Sequence, residues 1–599
     1  MFINDRIDKF QRKNFSALFN FDPKENFYIF MLSVLFFILL FIFRFIDDNK
    51  LVPWSQVFSD NSIYFFIVLL FSLYLVNIFL NIFHKIHKGI NEKLFFLLIP
   101  FLFLFLFLFF FDIPELNIDS ARYITQAKYV KEFGVFYFIR EWGKAIFIWT
   151  DMPLVPFIYG IIFKLFGEER VFIQIFNSIS FTCSILLTYL LGKSLWNREV
   201  GFYAGIMLLS IPYLYTQIPL TLVDIPAMSF FLLALYSLLK AITKGEKWLL
   251  FSPFTLLLSI LTKYSLIIWF FGLFFALFFY ILAQTQEKKL YLKRLFFVLG
   301  ILLFPITLII FIKYNELSYQ LLLLLHYQKT NLKNWNENYI STFFYQSHPF
   351  LFFLFLYSLK SAFKNKELFF IILLLPFILI FLLQIERIRY IIPILPLYVL
   401  MASYGLYCLP IPLKAKNYLI TSSLIFSFLL AFLSYRPFLK QTNMATLSLA
   451  SDYTNKLTID TVKVLIIPSS FTPINLEVLI PILDLYIKNK HIIYEDLYYQ
   501  KLKTAIKTVV PNESPFRFSW EFTLPIFYKS TFHKYRKMCF LIISDSINKD
   551  YVRNNIQKIL EEHPEFKNFI HKKRYKIKSF SILDGTFTFQ LVIFLIHEF

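Results

Sequence analysis

Four polar residues on one helical face make up the segment of this chain best suited to chemistry. Asp119, Arg122, Tyr123 and Gln126 come shortly after the apolar run 94–111. Spacings of three, four and seven residues put them on one side of a helix. At a membrane surface such a face offers a carboxylate, a guanidinium and a phenol together. That set can hold a phosphate and take a proton from a hydroxyl. Three further places hold polar groups against apolar surroundings: Asp224 in Val-Asp-Ile-Pro, Lys263 inside the long stretch 248–282, and Glu386, Arg387, Arg389 and Tyr390 ahead of another apolar run. Charges in such settings are costly, and are paired or functional.

The chemistry these groups suit is narrow. A lipid phosphate needs fixed cations, which Arg122, Lys263 and Arg389 supply. A phosphate leaving group is already acidic, so it calls for charge stabilisation rather than protonation. One carboxylate then suffices to activate an acceptor hydroxyl, whereas glycoside hydrolysis needs two carboxylates and a water. One acid with several cations favours transfer over hydrolysis. Taken singly, each residue also has a plain reading. Asp119 and Asp224 suit helix N-caps, Lys263 suits a snorkelling helix end, Arg387 and Arg389 suit pairing with Glu386, and Asp112 and Glu115 suit solvated loop acids. Their convergence on one face of the membrane carries the functional reading.

The elements that must position these groups are membrane helices. Hydrophobic residues make up 58% of 599, with 81 Phe, more apolar surface than one soluble core can bury. Span-length runs near 27–45, 62–83, 94–111, 172–192, 200–218, 225–242, 248–262, 264–282, 295–312, 347–363, 368–384, 391–409 and 418–435 predict about thirteen transmembrane helices. The 248–282 stretch is split at Thr262-Lys263. With the N-terminus cytoplasmic, every even-numbered span ends in a basic loop, from Lys85/Lys88/Lys93 to Lys414/Lys416, as the positive-inside rule requires. The net charge of +21 is absorbed by those loops, so nucleic-acid binding is not implied. Residues 27–45 are read as a retained first helix, because Asp47-Asp48 follow it rather than a cleavage site. On this count the polar face, Asp224, Lys263 and Arg389 all lie at the outer face, and the C-terminus is extracytoplasmic.

Two outer loops interrupt the spans. Residues 112–171 contain the polar helix from Asp119 and a short apolar segment opened by Trp149-Thr150-Asp151-Met152-Pro153-Leu154, read as two interfacial helices. Residues 313–346 form a second loop, with His326 inside it and His348 beyond. From about Arg436 the composition turns ordinary. Val462–Pro468 and Met538–Ile543 read as strands, Leu476–Ile487 as an amphipathic helix, Tyr551–Ile570 as a charged helix, and Tyr575–Ile596 as a hairpin around Asp584-Gly585. The resulting division is 1–93, a cytoplasmic segment with two additional helices; 94–435, the catalytic membrane core; and 436–599, a soluble extracytoplasmic α/β domain for acceptor binding or a lid. Cys183, Cys408 and Cys539 show no metal spacing. No cofactor is called for, and a divalent metal is not indicated.

Between Leu94 and Tyr435 the motifs resemble the GT-C glycosyltransferases that use polyprenyl-phosphate sugars, among them the protein O-mannosyltransferases and the lipid A aminoarabinose transferases. Asp119-Ser120-Ala121-Arg122-Tyr123 is similar to that family's Asp-Glu-x-Arg-Tyr. Met152-Pro153-Leu154 with Leu165-Phe166-Gly167 is similar to its Pro-Pro-Leu and Phe-Gly pair. Asp224-Ile225-Pro226, Leu261-Thr262-Lys263, and Arg389-Tyr390 with Pro393 and Pro396 follow in the family's order. The resemblance implies Asp119 as base, with Arg122, Tyr123, Lys263, Arg389 and Tyr390 on the donor phosphate and Asp151, Asp224 and Arg387 in support. Ser120 stands where the family has a second acid, and Met152 where it has a first proline.

The expectation is a multi-pass plasma-membrane glycosyltransferase that moves a sugar from polyprenyl phosphate to a lipid, glycan or protein hydroxyl. The alternatives are a transporter or lipid-linked sugar flippase, and an oligosaccharide ligase or polymerase. Transporters of this kind place charges near the bilayer midplane and repeat their halves, and neither pattern is seen in the sequence.

Overall fold

A computed structural model describes residues 23–46, 63–64, 67–69, 71–75, 104, 108–115, 117–283, 287–328, 347–365, 367, 369–383, 388–440, 444–469, 472, 474–494, 517–529, 538–546, 548–562, 570–576 and 592–597. Most of the expected spans 62–83 and 94–111, together with Glu386, Arg387 and the Asp584-Gly585 turn, lie outside the described residues.

The first helix, α1, is Pro23–Ile46. Two helices follow where the 112–171 segment predicts them: α2, Ser120–Glu141, and α3, Leu154–Phe166. Inside α2, Gly134 takes φ 83 and ψ 174, a kink open to glycine and strained for other residues. Helix α3 crosses α2 at Gly160, where an added Cβ would lie 2.6 Å from the Ala127 carbonyl oxygen.

The bundle then comprises α4 (Arg170–Leu195), α5 (Arg198–Leu208), α6 (Pro212–Gln217), α7 (Asp224–Thr243), α8 (Trp248–Ile260), α9 (Ser265–Ala283) and α10 (Lys288–Ile312). The single span expected over 200–218 is instead α5 and α6. Ile211 is extended and Pro212 starts the next helix, since proline has no N–H to continue the previous one. The split at Thr262-Lys263 is present, between α8 and α9. The segment 313–346 opens as helix α11, Tyr314–Leu323, running into a π-turn at Leu324–Gln328 that holds His326. The bundle closes with α12 (Pro349–Asn365), α13 (Phe369–Leu382), α14 (Ile388–Cys408) and α15 (Leu413–Lys440).

Among the described residues six helices are long and apolar enough to cross a membrane, with four shorter apolar ones beside them. The chain is a multi-pass helical membrane protein. Helix α14 is central, 89% of its apolar window being buried by protein, whereas α10 is peripheral at 17%. Arg389 thus sits at the start of the most enclosed helix.

Beyond α15 come α16 (Ala445–Asn455) and β1 (Thr461–Ile466). The segment 476–487 is not an amphipathic helix. It forms a 3-10 turn at Leu476–Val478 and then α17, Leu479–Asp484, buried throughout. It packs on α2 as well as on its own domain, so it has no solvent face for polar residues to occupy. Strands β2 (His491–Tyr494) and β3 (Met538–Ser544) follow, then helix α18, Lys549–Glu562. The last helix stops short of the expected Ile570. Pro564 follows it, and a proline there favours a helix end. Strands β4 (Ile570–Lys576) and β5 (Val592–His597) pair antiparallel, as the expected hairpin requires. The sheet order is β2-β1-β3-β5-β4, parallel on the β2-β1-β3 side.

Candidate functional site

The sequence candidates meet at one end of the bundle because each begins or ends a helix there. Asp119 precedes α2, Asp151 precedes α3, Asp224 begins α7, Lys263 lies in the α8–α9 break, and Arg389 is in the first turn of α14. The loop of Asp151 is tied to that of Lys263 through the Leu154 N–H, which donates to the Leu261 carbonyl at 3.0 Å. Just before Asp151, Trp149 adopts φ 47, a left-handed conformation uncommon for a large side chain.

Together these groups form one alternating chain of charge. Arg122 donates to both oxygens of Asp151, Nε at 2.8 Å and Nη2 at 2.9 Å. Its Nη1 reaches Asp119 Oδ1 at 3.2 Å. The other oxygen of Asp119 accepts from Arg389 Nη1 at 2.6 Å. Arg389 also grips Asp224 Oδ2 through Nη2 at 3.0 Å and Nε at 3.3 Å. Asp224 Oδ1 then accepts from Lys263 Nζ at 2.5 Å. The order is Asp151, Arg122, Asp119, Arg389, Asp224, Lys263: three acids against three cations. Asp224 has no exposed surface, so its charge depends on these partners. Asp119 is the most open of the three acids, its side chain 14% exposed against 4% for Asp151 and 0% for Asp224.

The plain readings can now be settled residue by residue. Asp119 occupies the N-cap position of α2, but its side chain makes no capping hydrogen bond there; it faces two guanidinium groups instead. Asp224 is likewise occupied by Lys263 and Arg389. Lys263 does not snorkel to solvent. It is buried, donates to the Arg389 carbonyl at 3.1 Å and lies 4.9 Å from the Tyr390 ring centroid. The Tyr264 hydroxyl donates to that of Tyr390 at 3.1 Å. Tyr123 stacks under Arg122, 5.7 Å from ring centroid to Cζ. Burial, with Asp151 adding to it, pushes its phenol well above the ordinary value, so it stays a neutral hydrogen-bonding group.

The expectation for Glu115 is overturned. It is wholly buried, not solvated. Its Oε1 accepts from Arg170 Nε at 3.0 Å and from Thr221 N and Oγ1 at 2.6 and 2.7 Å, and its Oε2 accepts from Ser120 Oγ at 2.6 Å. Asp112 pairs with Arg436 and Lys440 at the surface.

Sequence reasoning also missed what holds Asp224 in place. Arg170 and Gln174 bind the Pro219 carbonyl at 2.8 and 3.2 Å, Asn177 that of Leu220 at 2.7 Å, and Tyr159 that of Leu222 at 2.7 Å. The signal was present: Arg170, Gln174 and Asn177 stand four and three residues apart in an apolar helix, one polar stripe on one face. A further outer contact comes from Gln320 of α11, which donates to the Asp151 carbonyl at 2.9 Å.

With this geometry in view, the relatives are informative. The bundle is similar to ArnT from Cupriavidus metallidurans, solved bound to undecaprenyl phosphate, with a TM-score of 0.50 at 12% identity over 84% of this chain and 98% of that one. The apo state of that protein gives a TM-score of 0.50 at 11% identity over the same shares. No curated protein matches the chain in sequence. The GT-C fold is thereby shown. Residues 151–312, which contain Asp151, Asp224 and Lys263, match the family described as dolichyl-phosphate-mannose-protein mannosyltransferase. The likeness to ArnT extends over most of the chain, while the family match is confined to this central segment.

Proposed function

We propose that the protein transfers a sugar from a polyprenyl-phosphate donor to a lipid, glycan or protein hydroxyl at the outer face of the plasma membrane. The N-terminus is cytoplasmic in this reading, 94–435 forms the catalytic core, and 436–599 is extracytoplasmic. The observation that carries it is Asp119, the most open acid of the alternating charge chain, held in its middle between Arg122 and Arg389.

The donor phosphate enters beside the cations. Arg122, Lys263 and Arg389 neutralise it, with Tyr123 and Tyr390 as neutral flanking donors and Arg387 close to Arg389 in sequence. Asp151 and Asp224 keep the cations fixed before the donor arrives, so little reorganisation is needed when charge develops. Asp119 exchanges its guanidinium partners for the acceptor. It takes the hydroxyl proton as the acceptor oxygen bonds to the anomeric carbon. The bond from that carbon to the phosphate oxygen breaks, and its electron pair leaves with the polyprenyl phosphate. Attack opposite the leaving group inverts the anomeric centre.

The test is transfer of labelled sugar from a polyprenyl-phosphate sugar by purified protein. Label should reach an acceptor and be lost in Asp119→Asn and in the Lys263→Ala, Arg389→Ala double variant. Specific lipid binding or translocation without transfer from any donor would refute the reading. Full transfer by a properly inserted Asp119→Asn protein would remove Asp119 as base.

A further inference from the structure

Two acids of the charge chain, Asp119 and Asp224, grip the same guanidinium from sites far apart in sequence. Behind them stands a single carboxylate, that of Glu115, with one oxygen on Ser120, the residue after Asp119, and the other on Thr221, three residues before Asp224. Both of its oxygens accept hydrogen bonds, and the side chain has no exposed surface. Arg170 completes the contact by binding Glu115 and also the carbonyls of Ile113 and Pro219, one on each side.

The C-terminal region reaches into this arrangement. The Glu115 backbone N–H donates to the Tyr486 hydroxyl at 2.6 Å, and the Tyr486 ring lies 5.8 Å from the Arg170 guanidinium. The main chain of Tyr486 is held by its own domain: its N–H donates to the Leu483 carbonyl at 3.0 Å, and its carbonyl accepts from Asn455 at 2.9 Å. Tyr486 therefore holds the backbone of Glu115 from the C-terminal region. Glu115 in turn sets the spacing of the two acids that face Arg389.

We propose that Glu115, Arg170 and Tyr486 are positioning residues forming an interdomain clip, through which the docked C-terminal region sets the separation of Asp119 and Asp224. The inference rests on the transferase reading for its effect on turnover, but its structural coupling stands independently. Misplacing reacting groups by about 1 Å costs on the order of a hundredfold in rate, so even a partial loosening of the clip is measurable.

Tyr486→Phe is the informative variant, because it deletes one hydroxyl and keeps the ring against Arg170. Glu115→Gln strands Arg170 and is expected to lower folding yield. Lys488→Ala, which removes only a surface pair with Glu169, is the control. Amide hydrogen exchange is measured on full-length protein in lipid nanodiscs, and turnover at saturating donor alongside it. Tyr486→Phe should speed exchange at both 117–126 and 220–225 and lower kcat roughly tenfold, with donor KM unchanged; Lys488→Ala should do neither. Unchanged exchange at either segment would overturn the clip, and faster exchange with intact kcat would overturn its positioning role. The exchange response in Tyr486→Phe, together with a wild-type protein that transfers no sugar from any donor, would refute the transferase reading and leave the coupling in place.

Discussion

The two ends of the helical bundle treat charge in opposite ways. At the site end, three acids and three cations, largely enclosed, alternate in one chain with contacts from 2.5 to 3.3 Å. At the other end charge is mostly basic and serves helix ends or neighbouring hydroxyls. Arg294 donates to the carbonyls of Ile242 and Thr243, Lys416 to that of Tyr407, and Lys240 to the Ser194 hydroxyl. Cations near helix C-termini are favourable and tolerate water. A matched buried array is different, because each member costs desolvation and is held only by its neighbours. Retaining such an array points to chemistry at that end, while the basic end reads as topology and anchoring.

That contrast can be broken most sharply at Arg389, which serves two acids. Arg389→Ala should lower unfolding stability by about 3–5 kcal/mol, as expected when a buried pair loses one partner. Thermal unfolding in detergent checks this, and a loss under about 1 kcal/mol would show that the array is solvated. Asp119→Asn should lower turnover by on the order of 10²–10⁴-fold, the range for a general base, with little change in unfolding temperature. Measured together, these two variants separate what the array does for folding from what it does for catalysis.

A purely steric change at the basic end sharpens the comparison. Gly192 of α4 faces Gly201 of α5 so closely that an added Cβ would lie 2.7 Å from the Gly201 Cα. Gly192→Ala should cost about 1–3 kcal/mol by overpacking, with kcat per folded molecule unchanged. Removing charge there should matter least. Lys416→Ala is expected to shift stability by no more than about 0.5 kcal/mol, and a loss comparable to that of Arg389→Ala would erase the distinction between the ends. Within the site end, Asp112 is the internal control: Asp112→Asn loses only its exposed pairs with Arg436 and Lys440, worth about 0–1 kcal/mol.

Much of this was legible in the sequence where the signal was local. The polar face from Asp119, the break at Thr262-Lys263 and the strand pattern around Val462 and Met538 follow from spacing and composition over a few residues. What was not legible depends on distant partners. Nothing near Glu115 shows that Thr221 and Arg170 converge on it, so an acid beside an apolar run read as solvated. The N-cap reading of Asp119 failed for the same reason, since Arg389 lies far along the chain. The cations were read as waiting for phosphate, yet each already holds a carboxylate. That alternating pairing is a property of the folded arrangement. The segment 476–487 read as a surface helix because its apolar pattern does not reveal a second burying face, which α2 supplies.

The even count of the six charges has a consequence for how the reaction ends. On the proposed scheme the donor is a phosphodiester, whereas the spent carrier is a monoester with a charge near −1.5 to −2 at neutral pH. Three unopposed cations would hold the spent carrier more firmly than the donor, and each cycle would stall on its own by-product. With Asp151, Asp119 and Asp224 ready to reclaim Arg122, Arg389 and Lys263, the departing carrier meets competition for every cation it touches. On that scheme the acids would serve as an ejector as well as a scaffold, and the same array that holds the donor would clear the carrier.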